Sequence, residues 1–446
     1  MSRTVRFRVL DSIAVVTLDQ PPVNALSAPI RAGLWEVFSR INSNDDIKAT
    51  VLTASGAMFS AGADIRELGT KLDEPSLAQL CNVIERCDKP VVVAINGRAL
   101  GGGAELALAG HYRLAAPDAR IGLPEVTLGL VPGAGGTQRL PRLVGAELAL
   151  QLIISTQSID ARGARRIGLL DGIVEGDLAS GAITFAQSLV ARGEGPRPTR
   201  ARRGKMADGR AYQAAVAKAR TALAGNPLFA PHRAIDCIEA AALLPFDAGM
   251  AFEADAFARC VAHIQSVALR HVFVAERKVD RALIEREGAA FNPVAPMGKA
   301  AVARLRGAML MAANHLRDHD GVPEAAIDAA MVDYGFRKGP YGGREGGQDG
   351  ADASGIARKI VAALMREGAV MVEQGAVERA SDIDALAVHG LGFPRRMGGP
   401  MRAAQTAGLL HLRNEMRAWS EVSEIWAVPD LMERAVKLAD GFNAVA

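Results

Sequence analysis

The 446-residue sequence has little excess charge, few cysteines and no long apolar run. A net charge of +3 is too small to predict nucleic acid as the main partner. The four cysteines lack CxxC spacing, so we expect reduced thiols in a cytoplasmic protein: Cys81, Cys87, Cys237 and Cys260. No apolar run could span a bilayer, so we expect no membrane partner. The first residues lack the apolar core of a signal peptide, and the final "AVA" is not a peroxisomal address, which also favours the cytoplasm.

Strands and helices alternate in the first third of the chain. Three runs are apolar on successive residues, which favours parallel strands buried on both faces: residues 12–19, 49–55 and 90–96. Helices are predicted at 28–43 and 77–87. This alternation predicts an α/β domain over residues 1–190.

Strand patterns stop after about residue 190, and the rest of the chain has helical apolar spacing. We predict an all-α extension over 191–290 and a helical domain over 291–446. The helical domain divides into two modules, at about 300–345 and about 355–446.

The two modules contain a repeated sequence pattern. "AAIDAAMVDYGFRKGP" (325–340) matches "SDIDALAVHGLGFPRRMGGP" (381–400) in its Ile-Asp, Gly-Phe and Gly-Pro pairs. Asp328 and Asp384 are predicted near helix N-termini, where acids are favoured, and Gly335 and Gly392 are predicted to end those helices. The glycine-rich stretch 339–355 is predicted to be a flexible connection.

A lone acid follows three glycines in "NGRALGGGAELALAG" (96–110). The glycines fall where a strand leads into a helix that starts near Gly102. The free N–H groups at that helix end suit a developing oxyanion, with Glu105 close by. A tight packing turn is the alternative interpretation of this stretch alone.

Two further stretches support a catalytic site. "IGLPEVTLGLVPGAGGTQRLPRLVG" (121–145) places Glu125 after a proline, in apolar surroundings. Two acids among apolar residues can position one water between them and divide the acid and base roles. "ASGAMFSAGADIREL" (54–68) follows a strand, and its backbone could supply a second oxyanion N–H group.

In order and spacing, these three stretches resemble the crotonase (enoyl-CoA hydratase/isomerase) superfamily over roughly the first 190 residues. The resemblance implies a crotonase-like spiral α/β domain. It implies catalytic roles for Glu105 and Glu125, and an oxyanion hole formed by the N–H groups of Ala63 and Gly102. It also places four residues at the CoA-binding site: Ala25, Ala61, Asp64 and Ile65.

The later part of the chain resembles the bifunctional enoyl-CoA hydratase/3-hydroxyacyl-CoA dehydrogenases of β-oxidation. The extension is similar to theirs, and the paired modules resemble the dehydrogenase C-terminal domains. Their NAD-binding domain is missing, because no window fits Gly-x-Gly-x-x-Gly after a strand. "GAAFNPVAPM" (288–297) is either a scar of the dehydrogenase motif, with Ala289 in place of its histidine, or a chance similarity.

These observations together predict an enoyl-CoA hydratase without dehydrogenase activity. The expected partner is an acyl-CoA substrate, with coenzyme A as the carrier and neither NAD nor a metal as cofactor, in a monomer or small homo-oligomer. His315, Asp318 and His319 lie about one helical turn apart, but a solvated helix end explains them better than a metal site. The alternatives are another crotonase reaction (double-bond isomerisation, retro-aldol cleavage or thioester hydrolysis) and a non-catalytic acyl-CoA-binding or scaffold protein.

Overall fold

The structure, a computed structural model, describes residues 4–69, 73–287, 290–292, 295–346, 353–438 and 440–444. It divides into two compact units, Met1–His263 and Ile264–Ala446. The division differs from the predicted domains 1–190, 191–290 and 291–446, because the unit boundary falls inside the extension. The physical reason is a break at His263, whose backbone is extended. It separates two helices across which the apolar pattern of the sequence continues without interruption.

Nine strands in the described residues of the first unit form two sheets. They are β1 (Val5–Leu10), β2 (Ile13–Leu18), β3 (Ala49–Ala54), β4 (Val91–Ile95), β5 (Arg98–Leu100), β6 (Tyr112–Ala115), β7 (Arg120–Gly122), β8 (Ile159–Asp160) and β9 (Gly172–Ile173). The larger sheet has the order β1-β2-β3-β4-β6-β9, and only the β1–β2 pair is antiparallel. The three predicted strands are β2, β3 and β4, and their parallel pairing is confirmed.

Ten helices surround these sheets in the described part of the first unit. They are α1 (Ala28–Asn42), α2 (Leu77–Glu85), α3 (Gly102–Ala109), α4 (Gly136–Val144), α5 (Ala146–Ser155), α6 (Ala161–Arg166), α7 (Leu178–Ala191), α8 (Gly209–Ala222), α9 (Phe229–Leu243) and α10 (Phe246–Ala262). The two helices predicted in the first third are α1 and α2. A capping box of Ser76 and Gln79 begins α2. The helices α8, α9 and α10 of the extension pack with α4 and α5, so this part of the extension belongs to the first unit's core.

Where the structure describes the second unit, it is helical apart from one short hairpin. Its helices are α11 (Ile264–Lys278), α12 (Pro296–Asp318), α13 (Glu324–Tyr334), α14 (Ala353–Glu373), α15 (Ala380–Leu386), α16 (Pro400–Thr406), α17 (Leu409–Ser420) and α18 (Asp430–Ala435). The hairpin, β10 (Glu285–Glu287) and β11 (Ala290–Asn292), is the exception to the prediction that strands stop near residue 190. No helix in the described residues is both long enough and apolar enough to cross a membrane.

The repeated sequence pattern corresponds to a repeated contact, called the clasp below, in which an aspartate binds the backbone after a Gly-Pro pair. Asp328 Oδ1 accepts a hydrogen bond from the N–H group of Tyr341 (2.8 Å), and Asp384 Oδ1 accepts one from Met401 (2.8 Å). Tyr341 and Met401 each follow a Gly-Pro pair, so each aspartate binds backbone beyond its own helix. Both acids lie in the second turn after the helix N-terminus. Asp328 binds the loop after α13, whereas Asp384 accepts from Met401 and Arg402 in the first turn of α16 and so caps that helix.

The glycine prediction for the two modules is confirmed. Gly335 ends α13 with φ 123°, and Gly392 follows the helical segment after α15 with φ 77°. The aromatic residues that follow them, Phe336 and Phe393, are buried and meet edge to face with centroids 5.3 Å apart. Of the predicted flexible connection, residues 347–352 lie outside the described residues, and residues 339–343 are held by Asp328.

The part of the extension that belongs to the second unit, α11, is joined to the second module by histidine–carboxylate and arginine–carboxylate contacts. His271 Nε2 lies 2.7 Å from Asp384 Oδ2, and His389 Nε2 lies 2.6 Å from Glu276 Oε1. Arg395 also binds Glu276, and the His389 and Arg395 hydrogen bonds lower the pKa of this buried carboxyl to about 2, although burial opposes the change. Because both partners of each pair lie in the second unit, α11 is an integral part of that unit.

The clasp of the second module should be sensitive to a single methyl group. Gly399 has φ +97°, and a β-carbon built on it would lie 2.3 Å from Asp384 Oδ1. We expect Gly399→Ala to destabilise the second unit by about 3 kcal/mol, because the alanine strains the backbone and displaces the carboxylate. Urea unfolding followed through the buried Trp426 measures this loss.

A glycine with open space around it provides the control for that substitution. A β-carbon on Gly307, inside α12, would have no atom within 4 Å. Gly307→Ala should therefore raise stability by up to about 1 kcal/mol, the helix-propensity difference. Equal effects of the two substitutions would contradict the clasp.

Candidate active site

Three segments of the first unit end at one edge because they run in parallel. β5 and β7 pair in parallel, with Leu100 opposite Gly122. Ser60 forms a parallel bridge with Ala99 on the other side of β5, and its carbonyl accepts from Leu100 N–H at 2.9 Å. The chain therefore brings to the same place the three stretches that the sequence analysis singled out, which follow Ser60, Leu100 and Gly122.

Two backbone N–H groups meet at this edge. A β-carbon on Gly102 would lie 3.1 Å from the nitrogen of Ala63, and one on Gly62 would lie 3.0 Å from the nitrogen of Gly102. Only glycine fits at either position, and Gly62 also has φ +98°. Gly101 precedes α3 with φ 53°, so Gly102 N–H is in the first, unpaired turn of the helix. Ala63 and Gly102 are thus brought close together, and their role as a pair of oxyanion donors stays a prediction.

Glu105 lies on α3, one turn after Gly102, and is buried. Its Oε1 accepts hydrogen bonds from the N–H groups of Ala134 (2.7 Å) and Gly136 (2.8 Å), at the N-terminus of α4. Burial raises the pKa of Glu105, whereas these two hydrogen bonds lower it. The helix end therefore favours the carboxylate form of Glu105 in a site that would otherwise favour the acid.

Glu125 begins the short 3-10 helix Glu125–Leu128, immediately after β7 and Pro124. Both of its carboxyl oxygens are buried, and neither has a hydrogen-bond partner among the described residues. A β-carbon on Gly101 would lie 3.4 Å from Glu125 Oε1, so the carboxyl faces the start of α3. Burial raises the pKa of Glu125 well above its ordinary value, and the charge of Glu105 raises it further. Glu125 is therefore suited to the neutral acid form and Glu105 to the base form.

A third buried acid, Glu253, was missed by the sequence analysis. It lies on α10, in the extension, and accepts hydrogen bonds from the N–H groups of Gly135 (2.6 Å) and Thr137 (2.9 Å). Burial is the first cause that raises the pKa of Glu253, to about 8, and the charge of Glu105 is the second. A signal was present in the sequence, because Glu253 falls on the apolar stripe of α10, where a charged residue is unusual.

The residues predicted at the CoA-binding site lie on two adjoining segments. Leu26 N–H donates to Gly62 O (2.9 Å) and Ala61 N–H donates to Val23 O (2.9 Å), which places Ala25 beside Ala61. Asp64 and Ile65 follow on the same segment as Ala63, where Ile65 begins a 3-10 helix. The structure thus groups Ala25, Ala61, Asp64 and Ile65 next to the oxyanion donors, and their contact with coenzyme A stays a prediction.

The remaining candidates do not join this site. His315 and His319 form a possible ligand cluster with Asp320, in place of the predicted Asp318, with ligand atoms within 4.8 Å of one another. The ammonium group of Lys359, 2.8 Å from Asp320 Oδ2, already neutralises that carboxylate, so we assign no metal to the cluster. Ala289 lies outside the described residues.

One known family matches the N-terminal part of the chain. The profile of the enoyl-CoA hydratase/isomerase family matches residues 8–201. These residues therefore form a domain of this family, as the resemblance to the crotonase superfamily implied.

The chain is similar to several larger proteins. The peroxisomal bifunctional enzyme of Danio rerio is 39% identical over 280 residues, which make up 60% of this chain and 38% of that protein. The human peroxisomal bifunctional enzyme is 38% identical over 280 residues, 61% of this chain and 38% of that protein. The solved structure of Pseudomonas aeruginosa DspI is 34% identical, covers 42% of this chain and 81% of its own, and has a TM-score of 0.40. The chain thus matches well under half the length of these curated relatives.

Proposed function

We propose that this protein is an enoyl-CoA hydratase, which adds water across the α,β double bond of a 2-enoyl-CoA to give a 3-hydroxyacyl-CoA. The observation that carries the proposal is the pair of buried carboxyls in unlike environments. Glu105 is held by helix N–H groups, and Glu125 has no hydrogen-bond partner among the described residues. An Arabidopsis thaliana relative that is 38% identical over 284 residues is named as a peroxisomal fatty acid beta-oxidation multifunctional protein, which supports a fatty acyl-CoA thioester as the substrate class.

In the proposed mechanism, the N–H groups of Ala63 and Gly102 bind the thioester oxygen and stabilise the enolate that forms on it. The Glu105 carboxylate takes a proton from water while the water oxygen bonds to the β carbon. Glu125, in its neutral form, gives its proton to the α carbon. A proton then passes from Glu105 to Glu125, which restores the starting state.

The same oxyanion donors would serve an isomerase, a retro-aldol lyase or a thioester hydrolase. Water addition needs both a base for the water and a separate acid for the α carbon, and the two carboxyls supply them. The intact pair also weighs against a non-catalytic acyl-CoA-binding or scaffold protein. Because the sequence has no dinucleotide-binding motif, we propose no NAD chemistry and no dehydrogenase activity. We propose a structural role for the helical second unit, in a cytoplasmic monomer or small homo-oligomer.

A panel of CoA thioesters with product identification by mass spectrometry tests this proposal. We expect crotonyl-CoA and longer 2-enoyl-CoA esters to gain one water, and the same assay with NAD⁺ to produce no NADH. A product of unchanged mass with a shifted double bond, or release of free coenzyme A, would assign a different crotonase reaction. NADH formation from the 3-hydroxyacyl-CoA product would contradict the absence of dehydrogenase activity.

A further inference from the structure

Two acids from distant parts of the chain share one helix end. Glu105 Oε1 accepts from the N–H groups of Ala134 and Gly136, whereas Glu253 accepts from those of Gly135 and Thr137. The four consecutive N–H groups at the start of α4 therefore alternate between the two carboxyls. A shift of the turn that loses the Glu253 bonds also redirects the N–H groups that hold Glu105.

Tight packing fixes α10, which carries Glu253, against α4. The buried residues of α10 recur at helical spacing: Phe246, Gly249, Glu253, Ala256 and Cys260. A β-carbon on Gly249 would lie 2.2 Å from Gln138 Oε1, so the two helices approach as closely as a glycine permits. Glu253 thus reaches α4 from a rigid element.

The hydrogen-bond direction at Thr137 makes Glu253 an acceptor. Gln138 Nε2 donates to the carbonyl of Cys237 (3.0 Å) and to Thr137 Oγ1 (3.0 Å). With that lone pair occupied, the Thr137 hydroxyl donates to Glu253 Oε2 at 2.5 Å. Glu253 consequently receives three donors on two oxygens, which limit the rise of its pKa to about 8, and above that pH it places a second negative charge beside Glu105.

The neighbouring charges leave the two acids only partly compensated. The buried cation Arg139, on α4, lowers the pKa of Glu105 through its charge. Its guanidinium is already bound to Glu85 at 2.9 Å, so it compensates the two acids only in part. The titratable and charged groups that act on the pair from the packed elements are Glu125, Arg139 and Glu85, together with the Cys81 and Cys237 thiols, whose pKa values burial raises. The repulsion between Glu105 and Glu253 is thus built into the site.

We propose that Glu253 is a positioning residue for the base Glu105. Its hydrogen bonds hold residues 134–137 in the conformation that presents Ala134 and Gly136 N–H to Glu105, and its negative charge, once it ionises, strengthens Glu105 as a base. The inference rests on the proposed hydratase function, and it extends the site into the helical extension, beyond the residues 8–201 that match the family.

The pH dependence of kcat/KM for crotonyl-CoA hydration by the full chain tests this role. Glu253→Gln removes the charge but retains an oxygen for the turn. In the wild type we expect kcat/KM to rise as pH passes about 8, where Glu253 ionises and strengthens Glu105 as a base, and in Glu253→Gln we expect that rise to be lost. Above that pH we expect kcat of the variant to be about 10-fold lower than that of the wild type, because Glu105 is then the weaker base.

Asp255→Asn is the matched control, since Asp255 lies on the same helix with an exposed side chain paired to Arg259. It should leave both kcat and the profile unchanged. A Glu253→Gln variant that loses only thermal stability, with its whole pH profile superimposed on that of the wild type, would reduce Glu253 to a helix cap and overturn the proposal. If the glutamine variant does not fold, Glu253→Asp keeps an ionisable carboxyl and moves it away from the turn. That variant should lower kcat about 10-fold and keep a rise of kcat/KM at high pH, and wild-type kcat would overturn the proposal.

Thermal unfolding provides a test that does not depend on the reaction. A carboxyl whose pKa is raised by folding stabilises the protein at low pH and loses that contribution as pH rises through the folded value, which is about 8 for Glu253. A double-mutant cycle of Glu105→Gln and Glu253→Gln should therefore show a coupling that grows from about pH 6 to about pH 9. If no thioester is hydrated, the hydratase function fails while this coupling still stands, and a cycle with no coupling at either pH overturns the Glu253 proposal alone.

Discussion

Glu105→Gln is expected to lower kcat for crotonyl-CoA hydration by about 10³-fold, with little change in binding of the CoA ester. Glutamine keeps an oxygen that can accept from Ala134 and Gly136 N–H, so the turn before α4 should stay in place. It cannot take a proton from water, so the loss falls on the chemical step. Steady-state kinetics together with calorimetric binding of a saturated acyl-CoA separate the two effects.

An exposed carboxyl of the same unit controls for the substitution itself. Glu147 lies on the surface of α5, where it pairs with Lys218, and Glu147→Gln should retain full activity. If Glu105→Gln hydrates the substrate at a rate near that of the wild type, Glu105 is not the base and the mechanism is wrong.

Glu125→Gln is expected to reduce kcat by a similar factor, about 10³-fold, for a different reason. The neutral carboxyl and the amide have nearly the same shape, so the substrate should still bind. The amide has no acidic proton for the α carbon, and the enolate held by Ala63 and Gly102 N–H would return to the enoyl ester. Kinetics under the same conditions as for Glu105→Gln measure the loss.

The fold of this variant is checked by circular dichroism and thermal unfolding. The exposed Glu175, in the loop before α7, provides the control, and Glu175→Gln should be fully active. A Glu125→Gln variant with undiminished hydration would show that the proton reaches the α carbon from another group. The isomerase and hydrolase alternatives would then have to be tested first.

The sequence predicts the first unit's sheet well because buried parallel strands have a strong local signature. β2, β3 and β4 appear where successive apolar residues occur, and α3 begins at Gly102 as expected. The placement of Ala63 beside Gly102 came from a family resemblance, since residues 60–63 and 98–102 are joined by a parallel bridge that no local pattern encodes.

Other features depend on long-range contacts that local sequence patterns do not predict. Glu253 lies far along the chain from the two N–H groups it accepts from, so only the packing of α10 on α4 reveals its role. Asp328 and Asp384 are predicted near the N-termini of their own helices, yet they bind backbone N–H groups that follow the Gly-Pro pairs, which for Asp384 lie in the first turn of α16. The break at His263 is missed because the apolar pattern continues from α10 into α11.

The position of Glu253 bears on how a minimal catalytic fragment should be chosen. A fragment cut at residue 201, where the family match ends, would contain Glu105, Glu125 and both proposed oxyanion donors. It would lack Glu253, which accepts hydrogen bonds from N–H groups at the N-terminus of α4. The freed N–H groups of Gly135 and Thr137 would then be open to water. For engineering or domain exchange, the smallest transferable piece therefore runs through Ala262, and grafts that follow the family boundary would transplant an incomplete site.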